Sequence, residues 1–306
     1  MIKTTRGESY APPPSDDFLV CPTELGRGKM TAALGKYGVH PTVIGRSILG
    51  RDVECFTLGR GRSRVIYFGT HHASESVCTN VLYMLAAVLS GKSPAVPATA
   101  GIDMGILLRR YTYHIIPCLN PDGVELRYFG VGESPLAERQ LRMSGGSFAT
   151  WQANARGVDL NHNYEAGFYA YKKIERERGT LAGSTLYSGE YPESEPESRA
   201  AAVLVRTLYP SAVVSLHTQG EEIFFGPRTS PAAARAAERL SRLLGYRIGE
   251  PTGTAAYGGL CDYTAALGIP SFTVELGRGK NPLPESSVPA LYARALRALI
   301  LLPTLV

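Results

Sequence analysis

Apolar residues along this chain fall into short blocks that switch between strand and helix spacing. Residues 53–58 and 64–69 are β-favouring runs, and Gly59-Arg60-Gly61-Arg62 between them predicts a hairpin turn. Val77–Leu89 then carries the long apolar spacing of a helix, so the order there is strand, loop, helix. Residues 24–37 form a helix-compatible stretch upstream, and 91–101 reads as a Pro- and Ala-rich loop. Further along, 111–117 predicts a strand and 195–208 a helix that leads through Pro210 into an apolar strand at 212–216. A helix at 232–244, a buried strand at 271–276 and an apolar-faced helix at 288–302 close the chain. This alternation predicts an α/β architecture with a parallel or mixed sheet. The Pro-, Ser- and Asp-rich residues 1–20 predict an irregular arm, leaving 21–306 as one domain without internal repeats.

Composition narrows the function classes. Hydrophobic residues make up 44% and charged residues 19% of the 306, enough apolar surface for a large core, which excludes disorder. The net charge of +5 comes from scattered Lys and Arg without a basic run or interleaved aromatics, so no nucleic-acid groove is indicated, while acidic substrates stay open. Five widely separated cysteines without a C-x-x-C pair predict neither a disulfide framework nor a cysteine zinc site, and fit a reducing compartment. No stretch is apolar enough for a signal peptide or a membrane span, so the expectation is a soluble, cytoplasmic chain with no membrane partner. The oligomeric state stays open.

Candidate chemistry begins with histidine, of which there are six. His72-Ala73-Ser74-Glu75 follows the strand ending at Gly69, and His217 ends the strand at 212–216. Both lie at strand carboxyl ends, where open α/β sheets gather ligands. Two such ends can offer His72, Glu75 and His217 to one tetrahedral ion with a fourth position open, the His₂Glu pattern of catalytic zinc. Alone, an H-x-x-E quartet is a common chance pattern.

Other segments give it context. Asn120-Pro121-Asp122-Gly123 resembles the N-P-D-G segment of zinc carboxypeptidases, and 154–164 is similar to their R-G-V-D-L-N-R-N-F segment. Residues 188–197 resemble the family's G-x-x-P-x-S-E-P-E, 215–218 its S-x-H-S and 271–276 its S-F-T-x-E-L. The resemblance runs in order from about Ile44 to Leu276. It implies a mixed eight-stranded sheet with helices on both faces, one Zn2+ at its edge, and hydrolysis of a peptide-like amide. It also implies that Glu275 is the general base: zinc brings the pKa of water from about 15.7 towards roughly 7, where a neighbouring carboxylate can take the proton and later return it to the leaving amine. Asp159 matches the acid that fixes the tautomer of a liganding histidine. His71 is expected to pack behind the site.

Departures from the pattern bear on substrate. Family carboxypeptidases grip a terminal carboxylate with the Arg of N-R-N, whereas Asn161-His162-Asn163 stands here; they place Arg after the Trp of W-R-K, whereas Gln152 follows Trp151. Imidazole does not replace a planar, two-pronged guanidinium. The 44–51 segment, Trp151-Gln152-Ala153-Asn154, His162 and the 275–284 tail are similar to the bacterial γ-D-glutamyl-meso-diaminopimelate peptidases, which implies a peptidoglycan stem peptide or muropeptide as substrate. Arg156, Arg278 and His162 are the candidates for the positive charge that such a substrate needs, with Arg156 also a candidate for the oxyanion. Asn161 and Gln152 are further candidate substrate contacts. Tyr257, beside Gly258-Gly259-Leu260-Cys261-Asp262, is the candidate mobile tyrosine, and Cys261 falls at the specificity position. The alternatives are a C-terminal carboxypeptidase with a relocated carboxylate grip, a zinc N-acyl amino acid deacylase, and a non-enzymatic peptide-binding protein.

Overall fold

Eight strands form one mixed sheet in the computed structural model, which describes residues 16–92, 99–250 and 256–306. In chain order they are β1 (Pro41–Arg46), β2 (Asp52–Gly59), β3 (Ser63–Gly69), β4 (Tyr111–Ile116), β5 (Ala212–His217), β6 (Glu222–Gly226), β7 (Arg247–Ile248) and β8 (Ser271–Glu275). Across the sheet the order is β1-β2-β4-β3-β5-β8-β6-β7. The four central strands β4, β3, β5 and β8 run parallel, and antiparallel pairs join them to β2 and β6. Parallel strands are covered on both faces, so β3 and β5 read as continuous apolar runs.

Alternation along those strands divides the core. Val65 and Tyr67 of β3 and Val214 and Leu216 of β5 enter one cluster, with α1 (Glu24–Lys36), α2 (Val77–Leu89), α8 (Pro231–Leu244) and α10 (Val288–Leu301). Ile66, Phe68 and Val213 enter the other, with α7 (Pro196–Leu208) and α9 (Leu260–Ala266). Every residue of α2 is buried, which explains its nearly unbroken apolar sequence. The hydroxyls of Tyr67 and Tyr113 donate to the carbonyls of Leu299 and Ile300, at 2.7 Å each, satisfying acceptors that the end of α10 leaves open. Among the described residues no helix is long and apolar enough to cross a membrane.

One expectation changes. The strands 53–58 and 64–69 do not form a hairpin: β4 lies between them, antiparallel to β2 and parallel to β3. Gly59 and Gly61 serve close approach, since a Cβ on Gly59 would lie 2.2 Å from the Tyr111 carbonyl oxygen and one on Gly61 1.9 Å from the Arg110 carbonyl carbon. Residues 16–20, a 3-10 turn and a bend, pack onto the core: Phe18 is fully buried, and its carbonyl accepts from the Asn80 amide at 2.8 Å. Residues 1–15 of the predicted arm, and 93–98 of the predicted loop, lie outside the described residues. The edge strands β1 and β7, the short strand β6 and the helix α3 (Met104–Arg110) carried too little apolar pattern to be predicted.

Candidate metal centre and substrate cavity

At the carboxyl end of β3 the chain leaves the sheet through Thr70 and a short 3-10 turn, Ala73–Glu75, before α2 begins. Asn120 anchors that loop: its amide lies within 3.1 Å of the carbonyls of His71, Gln152 and Ala153, and its carbonyl oxygen caps α4 (Pro121–Phe129) on the Gly123 N–H. The result brings His72 and Glu75 beside His217, the last residue of β5, which is in register with Glu275 at the end of β8.

The three side chains converge. His72 Nδ1 lies 3.0 Å from Glu75 Oε1 and His217 Nδ1 2.9 Å from Glu75 Oε2, and one donor atom from each residue falls within 4.8 Å of the others. Donors held at about 2.1 Å around a tetrahedral zinc are themselves roughly 3.4 Å apart, so two imidazole nitrogens and a carboxylate in this spacing fit that ion. Each imidazole is oriented from behind. His72 Nε2 faces Asp159 Oδ1 at 3.0 Å, while Asp159 also accepts from the N–H groups of Asn161 and Leu186. His217 Nε2 faces Ser215 Oγ at 2.9 Å, and Ser215 faces His71 Nδ1 at 3.2 Å, with His71 Nε2 2.9 Å from the Tyr164 hydroxyl. With Nδ1 of His217 given to a ligand, its Nε2–H donates to Ser215, Ser215 donates to His71, and His71 donates to Tyr164. His71 thus lies behind the three donors, fully buried and stacked on His217.

Electrostatics follow from burial and these pairings. Burial opposes ionisation of Glu75, but the two imidazoles bring its carboxyl down to about 2. Burial likewise disfavours a charged His72, yet the Glu75 and Asp159 carboxylates hold its pKa well above the usual imidazole range. Glu275 opens onto the cavity but is ringed by protein; burial, and then the charge of Glu75, push its carboxyl well up.

These groups open onto a cavity of about 370 Å³ between the ends of β5, β6 and β8. Ser271, Thr273 and Glu275 face one side of β8, while Phe272 and Val274 go into the core.

A family model described as zinc carboxypeptidase matches residues 35–297. The chain belongs to the zinc carboxypeptidase family. It is 33% identical over 269 residues to "Gamma-D-glutamyl-L-diamino acid endopeptidase 1" of Lysinibacillus sphaericus, covering 83% of this chain and 65% of that protein. It is 30% identical over 183 residues to "Murein peptide amidase A" of Escherichia coli K12, covering 56% of this chain and 57% of the relative. The chain thus spans less than two thirds of either relative's length. A crystal structure of thrombin activatable fibrinolysis inhibitor shares the fold, with a TM-score of 0.72 at 20% identity over 97% of this chain and 77% of that one. In this chain His72, Glu75 and His217, two imidazoles and a carboxylate, are the candidate metal ligands, a donor set that fits zinc.

Within this member of the zinc carboxypeptidase family the other predicted site residues divide in two. Gln152, Asp159, Asn161, His162, Cys261 and Glu275 line the cavity. Arg156, Arg278 and Tyr257 do not. Arg156 Nε is bound 3.0 Å from Glu195 Oε2, which holds the guanidinium in the scaffold. Arg278 is mostly exposed and pairs with Glu221 at 2.9 Å. Tyr257 is half exposed and contributes its backbone carbonyl, 3.0 Å from His162 Nδ1. His162 lines the wall without supplying a dependable cation: it stacks on Tyr171 at 3.8 Å, and burial lowers its pKa. Among the described residues the cavity's guanidinium is Arg228, which sequence reasoning missed, as it missed Thr185 and Asp262 in the same lining. Arg228 follows β6, a strand with no readable pattern, so no nearby motif drew attention to it.

Proposed function

We propose that this chain is a zinc metallopeptidase that hydrolyses the γ-D-glutamyl amide to a diamino acid in peptidoglycan stem peptides. The observation that carries this reading is the make-up of the cavity wall. Where family carboxypeptidases hold a terminal carboxylate there is an imidazole kept neutral by burial, while the guanidinium stands elsewhere, at Arg228. A substrate with an ordinary C-terminal carboxylate would find no forked cation at the usual place. The relative named for γ-D-glutamyl-L-diamino acid cleavage supports the same substrate class.

His72 and His217, through Nδ1, and Glu75, through a carboxylate oxygen, would hold zinc, which when bound polarises a carbonyl and makes water acidic enough to attack near neutral pH. Glu275 takes the proton of the attacking water on a carboxylate oxygen and passes it to the departing amine nitrogen. Its raised proton affinity suits a group that must hold a proton between two steps. Gln152 supplies the oxyanion donor in place of the missing arginine: its Oε1 accepts from Thr185 Oγ1 at 2.6 Å, which turns its Nε2–H groups to other acceptors. Asp159 keeps His72 in the tautomer that leaves Nδ1 free for the ion.

The test is hydrolysis of L-Ala-γ-D-Glu-meso-diaminopimelate beside a standard C-terminal carboxypeptidase substrate and an N-acyl amino acid, with products identified by mass. Release of diaminopimelate with no action on the other two is the expected result. Cleavage confined to the carboxypeptidase substrate, or to the N-acyl amino acid, would refute the γ-D-glutamyl reading.

A further inference from the structure

Beyond the metal donors, Asp159 and Glu275, the cavity is lined by one guanidinium, Arg228, and one further carboxyl group, Asp262. We infer that this pair reads the zwitterionic far end of a diamino dicarboxylic acid side chain, Arg228 taking its carboxylate and Asp262 its ammonium. The inference rests on the γ-D-glutamyl reading and narrows it from diamino acids in general to those whose side chain ends in both charges.

The guanidinium is held ready. Arg228 donates from Nη1 to Glu250 at 2.6 Å and from Nη2 to the carbonyl of Gly249, and it lies over the Phe225 ring at 4.8 Å. Those bonds use two of its five N–H groups, so among the described residues three remain for a ligand, in the fork geometry that matches a carboxylate. On Asp262, Oδ2 accepts from the Gly259 N–H at 3.2 Å, and Oδ1 has no hydrogen-bond partner among the described residues. Arg228 and Asp262 line one cavity together with Cys261. Small groups, Gly226 and Ala265, line it too, so a long, unbranched side chain can lie there. A Cβ on Gly226 would already touch Ala265 Cβ at 2.9 Å and Cys261 Sγ at 3.4 Å.

Lysine is the natural control, because it is diaminopimelate without the second carboxylate. It leaves Arg228 unmatched while still satisfying Asp262. A site built around a charged hydrogen bond rejects the analogue that lacks the group far more strongly than an apolar pocket rejects a missing methylene.

The experiment compares the zinc-loaded protein and Arg228→Gln on L-Ala-γ-D-Glu-meso-diaminopimelate and L-Ala-γ-D-Glu-L-Lys, with calorimetric titration of free meso-diaminopimelate and L-lysine alongside. The expected preference for the diaminopimelate peptide is about 100-fold in kcat/KM, and Arg228→Gln removes it, mainly through KM. Asp262→Asn, which keeps a carbonyl oxygen for the Gly259 N–H, weakens both peptides together, since both carry the ammonium. A preference that survives Arg228→Gln overturns the inference. If the wild-type protein cleaves neither peptide, the γ-D-glutamyl reading fails on its own, and the titrations decide about the pocket. Binding of meso-diaminopimelate at least ten times tighter than lysine, abolished by Arg228→Gln, sustains it, and equal binding of the two refutes it.

Discussion

Replacement of Glu197 by Gln is expected to stabilise the protein by an amount that grows with pH. Asp122, Glu195 and Glu197 are three buried carboxylates close enough to repel one another, and two have cations. Asp122 accepts from Arg51 Nη1 at 2.8 Å, as well as from Ser47 and the Leu49 N–H; Glu195 accepts from Arg156 Nε at 3.0 Å. Glu197 is the third, with two long hydrogen bonds, 3.3 Å each, from the Ile48 N–H and the Asn154 amide. Burial, with the negative charges of Asp122 and Glu195 adding to it, pushes its carboxyl from the ordinary 4.5 up to about 8. An acid whose pKa is raised by folding holds its proton longer in the folded chain, so its contribution is fully present below about pH 4.5 and is lost as pH rises to about 8. At 1.36 kcal/mol per unit, the loss amounts to about 3 kcal/mol by pH 7 and approaches ~5 kcal/mol by pH 9. Glutamine mimics the protonated acid and cannot ionise. Urea unfolding of both proteins, with zinc either saturating or chelated in the pair, gives the difference directly, and every other titrating group cancels in it. The two proteins should be nearly equal at pH 4.5, with the variant ahead by several kcal/mol at pH 9. A difference that does not change between those pH values would refute the argument, because it would mean that Glu197 is ionised throughout or finds a cation.

The other predictions concern the site. Glu275→Gln should lower kcat by about 10²- to 10⁴-fold while zinc still binds, and turnover surviving in that variant would remove Glu275 from the role of base. Asp159→Asn should weaken zinc binding by about 10- to 100-fold in competition with a chromophoric chelator, because His72 loses the carboxylate that orients it; unchanged affinity would mean that backbone contacts alone hold the ring. Gly226→Val should reduce kcat/KM on the stem peptide more than tenfold and leave zinc affinity intact, since the new side chain grows into Ala265 and Cys261 on the cavity wall; full activity would show that the substrate does not use this cavity.

Why some of this was readable in the sequence and some was not has a physical cause in each case. The central strands and the long helices bury whole faces, and burial imposes a period that survives in the residue order, as in the unbroken apolar run of α2. Edge strands have no such obligation: β1 is partly exposed along its whole length, and its pattern is correspondingly faint. The glycines at 59 and 61 carried a true signal with the wrong cause, since a residue without Cβ is needed both for a tight turn and for the passage of another backbone. The sequence motifs were legible for a related reason, and many of their residues never reach the cavity. Asn120, Asn154, Asn163, Glu195 and Glu197 are buried and tied to backbone or to one another, which makes the motif a record of how the loops under the site are held.

Specificity was illegible because it rests on what the fold brings together across distance. Arg156 sits in a motif and looked available, but a motif does not say which way a guanidinium is carried, and this one meets Glu195 outside the cavity lining. Arg228 sits in no motif, yet β6 delivers it to the wall opposite α9, where Asp262 stands. The two lie 34 residues apart in the chain, and neither has meaning alone: an arginine at a strand end is usually a solvated surface group, and an aspartate at the third position of a helix is usually a cap, which Asp262 also is. Only a shared cavity makes them a pair, and the chemistry of a zwitterion then follows from their signs. Metal-binding residues can be read from short spacings because one ion demands them within a few ångströms. Substrate-reading residues answer to a larger and softer object, and their spacing along the chain is set by the fold that carries them.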